Sequence, residues 1–256
     1  MKINKNPETM RLLEKIAALG YVALESVDYG GWQLRFTEGF TGRVNSVLIL
    51  RDTTDDLEKR VEYCEKEYAS RGLPCMFKLT EADTELAELL LQRGYQAIRP
   101  TDVMTLELSD VNTAWDREEI LKDVVYGAEP EDWFEPYFEF EELNDEHNRE
   151  LCKKIHAKVA SEKVYIKVMQ DGKIAALASL AIEEGFSLLH NVVVDKSLRG
   201  RGLGEKLCRA AVLISKDCGA DYSYLQVMQS NPVAMNLYKK LGFEKVYTYY
   251  YVKEDK

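Results

Sequence analysis

Cysteine is scarce and unpatterned in this chain. Five are present, Cys64, Cys75, Cys152, Cys208 and Cys218, an odd number with no C-x-x-C pair. That excludes a disulfide scaffold and a zinc ribbon, and leaves free thiols in a reducing compartment. Histidine is scarcer: His147, His156 and His190 lie outside any H-E-x-x-H or Cys/His cluster, so no metal is expected. No stretch reaches the roughly 18 uncharged apolar residues of a membrane span. Residues 1–10 lack the apolar centre of a signal peptide, which makes the cytoplasm the expected location and a membrane an unexpected partner. Positive charge is also short, with 34 Lys and Arg against 44 Asp and Glu, a net charge of -10. Such a surface repels phosphate backbones, so no nucleic-acid partner is expected. The same acidity would draw a cationic amine as readily as it would serve solubility alone.

What is present is a globular balance. Of 256 residues, 46% are hydrophobic and 30% charged, enough apolar material for one large domain or two small ones. Hydrophobic periodicity predicts two halves of mixed α and β character, an α+β (mixed α/β) class. The first half reads as a helix over 7–19, strands near 21–27, 32–37 and 44–50, and a charged helix over 54–71. A strand over 74–79 and a helix over 83–92 closed by Gly94 follow, then strands near 95–97 and 103–108. Residues 110–119 are polar and aperiodic, which places domains at 1–112 and 113–256. The second half opens on a strand near 123–126 and an acidic aromatic stretch over 130–140. A helix over 144–159 precedes strands over 164–170, 174–183 and 186–194, joined by tight turns at Asp171-Gly172 and Glu184-Gly185. A helix, a strand, a helix and a last strand complete it. The halves echo each other. Leu90-Leu91-Gln92-Arg93-Gly94-Tyr95 matches Leu237-Tyr238-Lys239-Lys240-Leu241-Gly242-Phe243 in type and place. A duplicated unit explains this, as would any two helices stopped by glycine before a strand.

Chemistry concentrates in residues 190–204. An apolar strand (Val192, Val193, Val194) runs through a polar loop into Arg199-Gly200-Arg201-Gly202-Leu203-Gly204, where a helix begins. The first amides of a helix lack partners within it, the helix dipole adds partial positive charge, and glycines admit a close-lying phosphate. The dinucleotide fingerprint G-x-G-x-x-G fails from Gly200, which leads to Glu205, and from Gly202, which leads to Leu207. The P-loop spacing fails too, again at Glu205. What fits is R-x-x-G-x-G through Arg199, Gly202 and Gly204. Further on, Asn231-Pro232 caps and opens a helix carrying Ala234, Leu237, Tyr238 and Leu241 on one face.

The first block resembles the acetyl-CoA pyrophosphate loop of the GNAT N-acetyltransferases. The second, N-P-x-A-x-x-L-Y-x-x-x-G-F, resembles that superfamily's second conserved block. Together they cover 123–256 and imply a GNAT fold there, a twisted mixed sheet flanked by helices. The resemblance implies roles for matching residues. Backbone groups of Val192, Val193 and Val194 would face the pantetheine and acetyl carbonyl where that strand splays from the next. Amides of Arg199, Gly200, Arg201, Gly202, Leu203 and Gly204 would hold the pyrophosphate. Asn231 would contact the cofactor arm, and Tyr238 would stand near the sulfur as general acid.

The implied reaction is direct acetyl transfer from acetyl-CoA to a primary amine, with no metal. An amine of pKa about 10.4 must lose a proton to attack. Many relatives use a glutamate on the fourth strand. The matching stretch here, Ser187-Leu188-Leu189-His190-Asn191, has no carboxylate. His190 is a candidate base on its parity with Val192 and Val194. Glu183, Glu139 and water relays are others.

The first half lacks the glycine turn. Aspartates follow its strand at 47–50, where they would repel a pyrophosphate, so it reads as a degenerate GNAT-like unit without a cofactor site. Segments 31–35 and 39–46 resemble the N-terminal portion of two-domain GNAT proteins. Trp32, Arg35, Arg43 and Asn45 there are the candidate acceptor-site residues; ordinary strand and turn roles are the alternative. A tandem arrangement implies a monomer with an internal pseudo-dimer, or a homodimer. Two other functions stay open from sequence: a non-catalytic acyl-CoA-binding regulatory module, and an interaction protein that docks through the rings of 133–140, which would then have to be exposed.

Overall fold

The computed structural model describes residues 3–53, 56–111 and 115–254. Its first helix, α1 (Pro7–Gly20), starts where Asn6 Oδ1 accepts the Thr9 amide at 2.8 Å and proline takes the first turn. The first half continues with β1 (Glu25–Tyr29), β2 (Trp32–Phe36), β3 (Val47–Ile49), α2 (Leu57–Ser70), β4 (Met76–Thr80), α3 (Thr84–Gln92) and β5 (Tyr95–Glu107). The second half holds α4 (Arg117–Leu121), β6 (Val124–Gly127), α5 (Phe134–Phe140), α6 (Glu146–Lys158), β7 (Glu162–Gln170), β8 (Lys173–Glu183) and β9 (Phe186–Val194). Then come α7 (Leu203–Asp217), β10 (Tyr222–Met228), α8 (Pro232–Lys240) and β11 (Glu244–Glu254). The mixed α/β class expected from periodicity is what the chain adopts.

Among the described residues eleven strands form one sheet, in the order β1-β2-β3-β4-β11-β5-β10-β9-β8-β7-β6. The two halves have traded their last strands. β11 ends the second half but lies between β4 and β5 of the first; β5 ends the first half but lies between β11 and β10. The β5–β11 pair thus joins the two halves near the middle of the sheet, with β1 to β4 of the first half on one side and β6 to β10 of the second on the other. The boundary expected between residues 112 and 113 lies outside the described residues.

Several elements differ from the sequence reading in ways that have causes. The strands expected at 95–97 and 103–108 are a single strand, β5. Arg99, at φ +54°, and Pro100 sit where the β5–β11 register slips, and an irregularity of this kind accommodates a residue without an N–H. The strand expected at 44–50 begins as a 3-10 turn (Gly42–Val44) before β3. The helix expected from residue 54 begins at Leu57, capped by the Asp56 carboxylate; residues 54 and 55 lie outside the described set.

Three apolar layers hold the sheet. Leu207, Ala210, Ala211 and Ile214 of α7 pack on Ile166, Ala176, Ala178 and Leu225. Val61, Tyr68 and Leu90 close over Leu34, Phe36 and Phe77 in the first half. The third layer joins the halves: Met10, Leu13, Ile16 and Ala17 of α1 lie on Ala181, Leu188, Tyr224, Tyr247 and Tyr249. A buried ion pair runs through it, Lys78 Nζ to Glu14 Oε2 at 2.5 Å, while Tyr247 Oη donates to Glu14 Oε1 at 2.8 Å. The acidic aromatic stretch is turned inward, with Trp133, Phe138 and Phe140 buried, which argues against a docking role for those rings. No helix among the described residues is long and apolar enough to cross a membrane.

Candidate active site

β9 and β10 begin as parallel neighbours and then part. Phe186, Ser187 and Leu188 pair with Tyr222, Ser223 and Tyr224, and the pairing stops there. Beyond it, residues 189–194 turn an unpaired backbone edge toward β10, a row of amides and carbonyls that needs partners. On its other side β9 carries a bulge. Leu177 faces Val193 and Ser179 faces His190, so Asn191 and Val192 together oppose Ala178. Asn191 takes the left-handed conformation, φ +55°. Its Nδ2 donates to Ser179 Oγ at 2.9 Å, and its Oδ1 accepts from Tyr137 Oη at 3.2 Å.

The bulge breaks the even alternation on which the parity of His190 with Val192 and Val194 rested. His190 and Val192 still line one cavity, while Val193 packs with Trp133 and Tyr165. That cavity fills the splay, about 1030 Å³ counted to its open mouth. β10 contributes Gln226, Val227 and Met228; α8 contributes Asn231, Ala234 and Tyr238. From the other half and α5 come Tyr21, Arg35, Arg43, Lys78, Tyr137 and Glu141.

Behind the splay stands the glycine turn. Gly202 is the N-cap of α7 at φ +82°, and no side chain caps that terminus. A Cβ at Gly202 or Gly200 would meet nothing within 4 Å, so the turn is open to solvent. The amides that follow are therefore free for an anion. Arg199 Nε donates to the Val194 carbonyl at 3.2 Å, tying the turn to the end of β9. In the first half the equivalent terminus, that of α2, is closed by Asp56, whose carboxylate accepts the Lys59 amide.

The structure gathers part of the expected residue set. Tyr238 is buried at the cavity wall, and burial holds its phenol above the usual range. Asn231 Oδ1 accepts the Ala234 amide at 3.1 Å, so it caps α8 while it lines the cavity. Arg35 and Arg43 reach the cavity; Trp32 and Asn45 do not. Trp32 is core, stacked under the Arg60 guanidinium. Asn45 fastens the loop before β3, accepting from the Thr37 and Gly39 amides and donating to the Thr41 carbonyl. Of the candidate bases, Glu183 accepts from Ser161 Oγ and Glu139 is exposed, both outside the cavity lining. His190 lines it, kept neutral by burial and by neighbouring His156 and Arg43. Glu141, missed in the sequence because it sits in a run of acidic residues, is the one carboxylate in the cavity lining among the described residues. Burial raises its pKa against the pull of Arg199 and Arg43. The thiols stand apart from this chemistry: burial pushes Cys64, Cys152 and Cys208 each up to about 12.

A protein-family model described as "Probable histone acetyltransferase Rv0428c C-terminal" matches residues 8–252. The uncharacterized N-acetyltransferase YobR of Bacillus subtilis (strain 168) is 27% identical over 249 residues, which covers 95% of this chain and 98% of YobR. A GCN5-related N-acetyltransferase from Kribbella flavida has the same fold, with a TM-score of 0.71 at 17% identity over 96% of this chain and 95% of that one. So does a tandem GNAT protein from the clavulanic acid biosynthesis pathway, with a TM-score of 0.66 at 16% identity over 98% and 89%.

Proposed function

This chain belongs to the GNAT acetyltransferases, in the family described as Rv0428c C-terminal, and we propose that it moves an acetyl group from acetyl-CoA directly to a primary amine of a small molecule or protein. One observation carries the proposal: the parting edge of β9 and the Tyr238 side chain line one cavity, and the uncapped turn at Gly202 lies against the end of β9, held there by Arg199 on the Val194 carbonyl.

These residues fit the donor. The free amides at 202–205 suit a pyrophosphate, and the unpaired edge of β9 suits the amide groups of a pantetheine arm. When bound, acetyl-CoA would supply a thioester with a good leaving group. The chain's own groups would do the rest. The Val192 N–H, turned by the bulge, would stabilise the developing oxyanion. The amine nitrogen bonds to the carbonyl carbon as the carbon–sulfur bond breaks. Tyr238, protonated at neutral pH, would give its proton to the leaving thiolate. The proton from the amine would go to His190 or Glu141. His190 is in its neutral, accepting form, but a charge placed there would face Arg43. Glu141, with its raised pKa, is the stronger candidate base.

Calorimetric titration with acetyl-CoA tests this, with a Gly202→Glu variant alongside. Micromolar binding by the parent, lost in the variant, is the expected result. A folded parent that does not bind acetyl-CoA would overturn the proposal.

A further inference from the structure

The protein carries a net charge of -10, yet its cavity is cationic. Arg35, Arg43 and Lys78 line it, against a single carboxylate among the described residues, Glu141. Lys78 is already matched, since its ammonium meets Glu14 and sits 3.7 Å from the centroid of the Tyr249 ring. Arg35 is 4% exposed and its guanidinium donates to the Tyr21 carbonyl, with no carboxylate in ion-pair contact among the described residues. Arg43 likewise has no carboxylate partner in ion-pair contact among them; its field reaches His190, Tyr238, Tyr21 and Glu141 around the cavity. A guanidinium does not shed its proton, so the burial of Arg35 without a counter-ion is costly and its charge calls for one, while the half-buried Arg43 presents its charge to whatever enters the cavity.

The segment 39–46 is built to present Arg43. Gly42 lets the loop pass against Tyr251, where a Cβ would come within 3.1 Å of the ring. Thr41 Oγ1 accepts the Arg43 amide at 3.1 Å, and Asn45 ties both sides of the loop. Sequence features that do not touch the cavity thus serve the one that does.

We propose that the acceptor is an amine that also bears a carboxylate, and that Arg43 with Arg35 is the site for that carboxylate. This rests on the acetyl-transfer reading and names its substrate class: amino acids and their relatives rather than polyamines. The arginine fork matches a carboxylate in two parallel hydrogen bonds. The same cations favour the neutral form of a nearby amine, which is the form that attacks.

The test supplies the full-length protein with acetyl-CoA and, in turn, each common amino acid and its carboxamide, with cadaverine as the comparison for lysine. Release of free thiol gives kcat/KM for each, and calorimetry gives acetyl-CoA affinity separately. The expected result is an acid preferred over its amide by about tenfold or more. Arg43→Gln should bring that ratio close to one without weakening acetyl-CoA binding, and Arg43→Lys should keep part of it. Amides or cadaverine used as well as the acids would overturn the proposal, as would a parent that binds acetyl-CoA and acetylates none of the acids. An Arg43→Gln variant that loses acetyl-CoA affinity and keeps the acid preference would also overturn it, by placing Arg43 on the donor. A parent that does not bind acetyl-CoA at all would strike the underlying reading instead. The acid-to-amide ratio of the parent decides the matter even if the variants do not fold.

Discussion

Asn191 Nδ2 lies 2.9 Å from Ser179 Oγ, and that hydrogen bond clamps the β9 bulge from the neighbouring strand. The clamp holds a non-glycine residue at φ +55°, next to Val192, which lines the cavity and whose amide is the proposed oxyanion donor. Asn191→Ala should lose both the clamp and a side chain that tolerates this backbone, at about 2 kcal/mol in total. Its kcat should fall about tenfold or more, because a slight displacement of an oxyanion donor is costly. Asn191→Gly keeps the backbone freedom and should recover part of the stability. Urea midpoints and steady-state rates check this; an Asn191→Ala protein with parental stability and kcat would show that the bulge holds without its clamp.

Gly202 and Gly204 belong to the same motif but are glycines for different reasons. Gly202 sits at φ +82°, where a side chain strains the backbone by about 1 kcal/mol even in open space. Gly204 has no such conformation, and its Cβ would meet Val194 Cγ2 at 3.7 Å and Leu237 Cδ2 at 3.8 Å, ordinary contacts. Gly204→Ala should therefore fold with parental stability, while Gly202→Ala should lower the urea midpoint. Equal midpoints for the two variants would contradict the assignment of Gly202 as the strained cap.

Tyr238 should act on rate, not on binding. Burial raises its phenol above the usual range, so it stays protonated across neutral pH and keeps the proton it would donate. Tyr238→Phe keeps the ring packed beside Phe243 and should lower kcat by about a hundredfold with little change in acetyl-CoA affinity. The alkaline limb of the parental kcat profile should not bend near pH 10 through this residue. A Tyr238→Phe enzyme with parental kcat would remove the tyrosine from the proton path.

A buried histidine, His156, and a half-buried one, His190, predict acid sensitivity. Burial lowers His156 from 6.5 to about 4, and His190 well below its usual value. The unfolded chain therefore binds protons in this window that the folded one refuses. The stability is fully present above about pH 6.5 and falls as pH drops toward 4. His156→Gln should flatten part of that slope, and His190 should account for another part. Urea midpoints measured between pH 7 and pH 4 test it; identical slopes in parent and variant would mean that His156 is protonated at no cost.

Much of the second half was readable in sequence because its signals are local. The period of α7, the Asn231-Pro232 opening of α8 and the glycine turn each depend on neighbours a few residues away. The exchanged strands were not readable. Residues 95–108 and 244–254 look like terminal strands of separate units, and nothing local says which strand lies beside which. The bulge was hidden for a similar reason: Asn191 among apolar residues does not announce a left-handed backbone. Glu141 was hidden by its acidic surroundings, and Trp32 and Asn45 were grouped with Arg35 and Arg43 because a short motif cannot separate residues that shape a site from residues that face it.

The exchange makes the halves interdependent. In the full sheet β5 hydrogen-bonds to β10 on one side and β11 on the other. A chain of residues 113–256 alone would lose β5, leaving a gap between β10 and β11 and unpaired edges on both. It would also lose α1, baring Leu188, Tyr224, Tyr247 and Tyr249. That segment expressed by itself should be aggregated or unfolded, although it holds both conserved blocks. Co-expression with residues 1–112 should restore a soluble complex, since the missing strand and helix return together. The readouts are size-exclusion chromatography and circular dichroism. A monomeric, cooperatively unfolding second half on its own would show that β11 can pair with β10 directly, and that the exchange is an option of the fold and not its requirement.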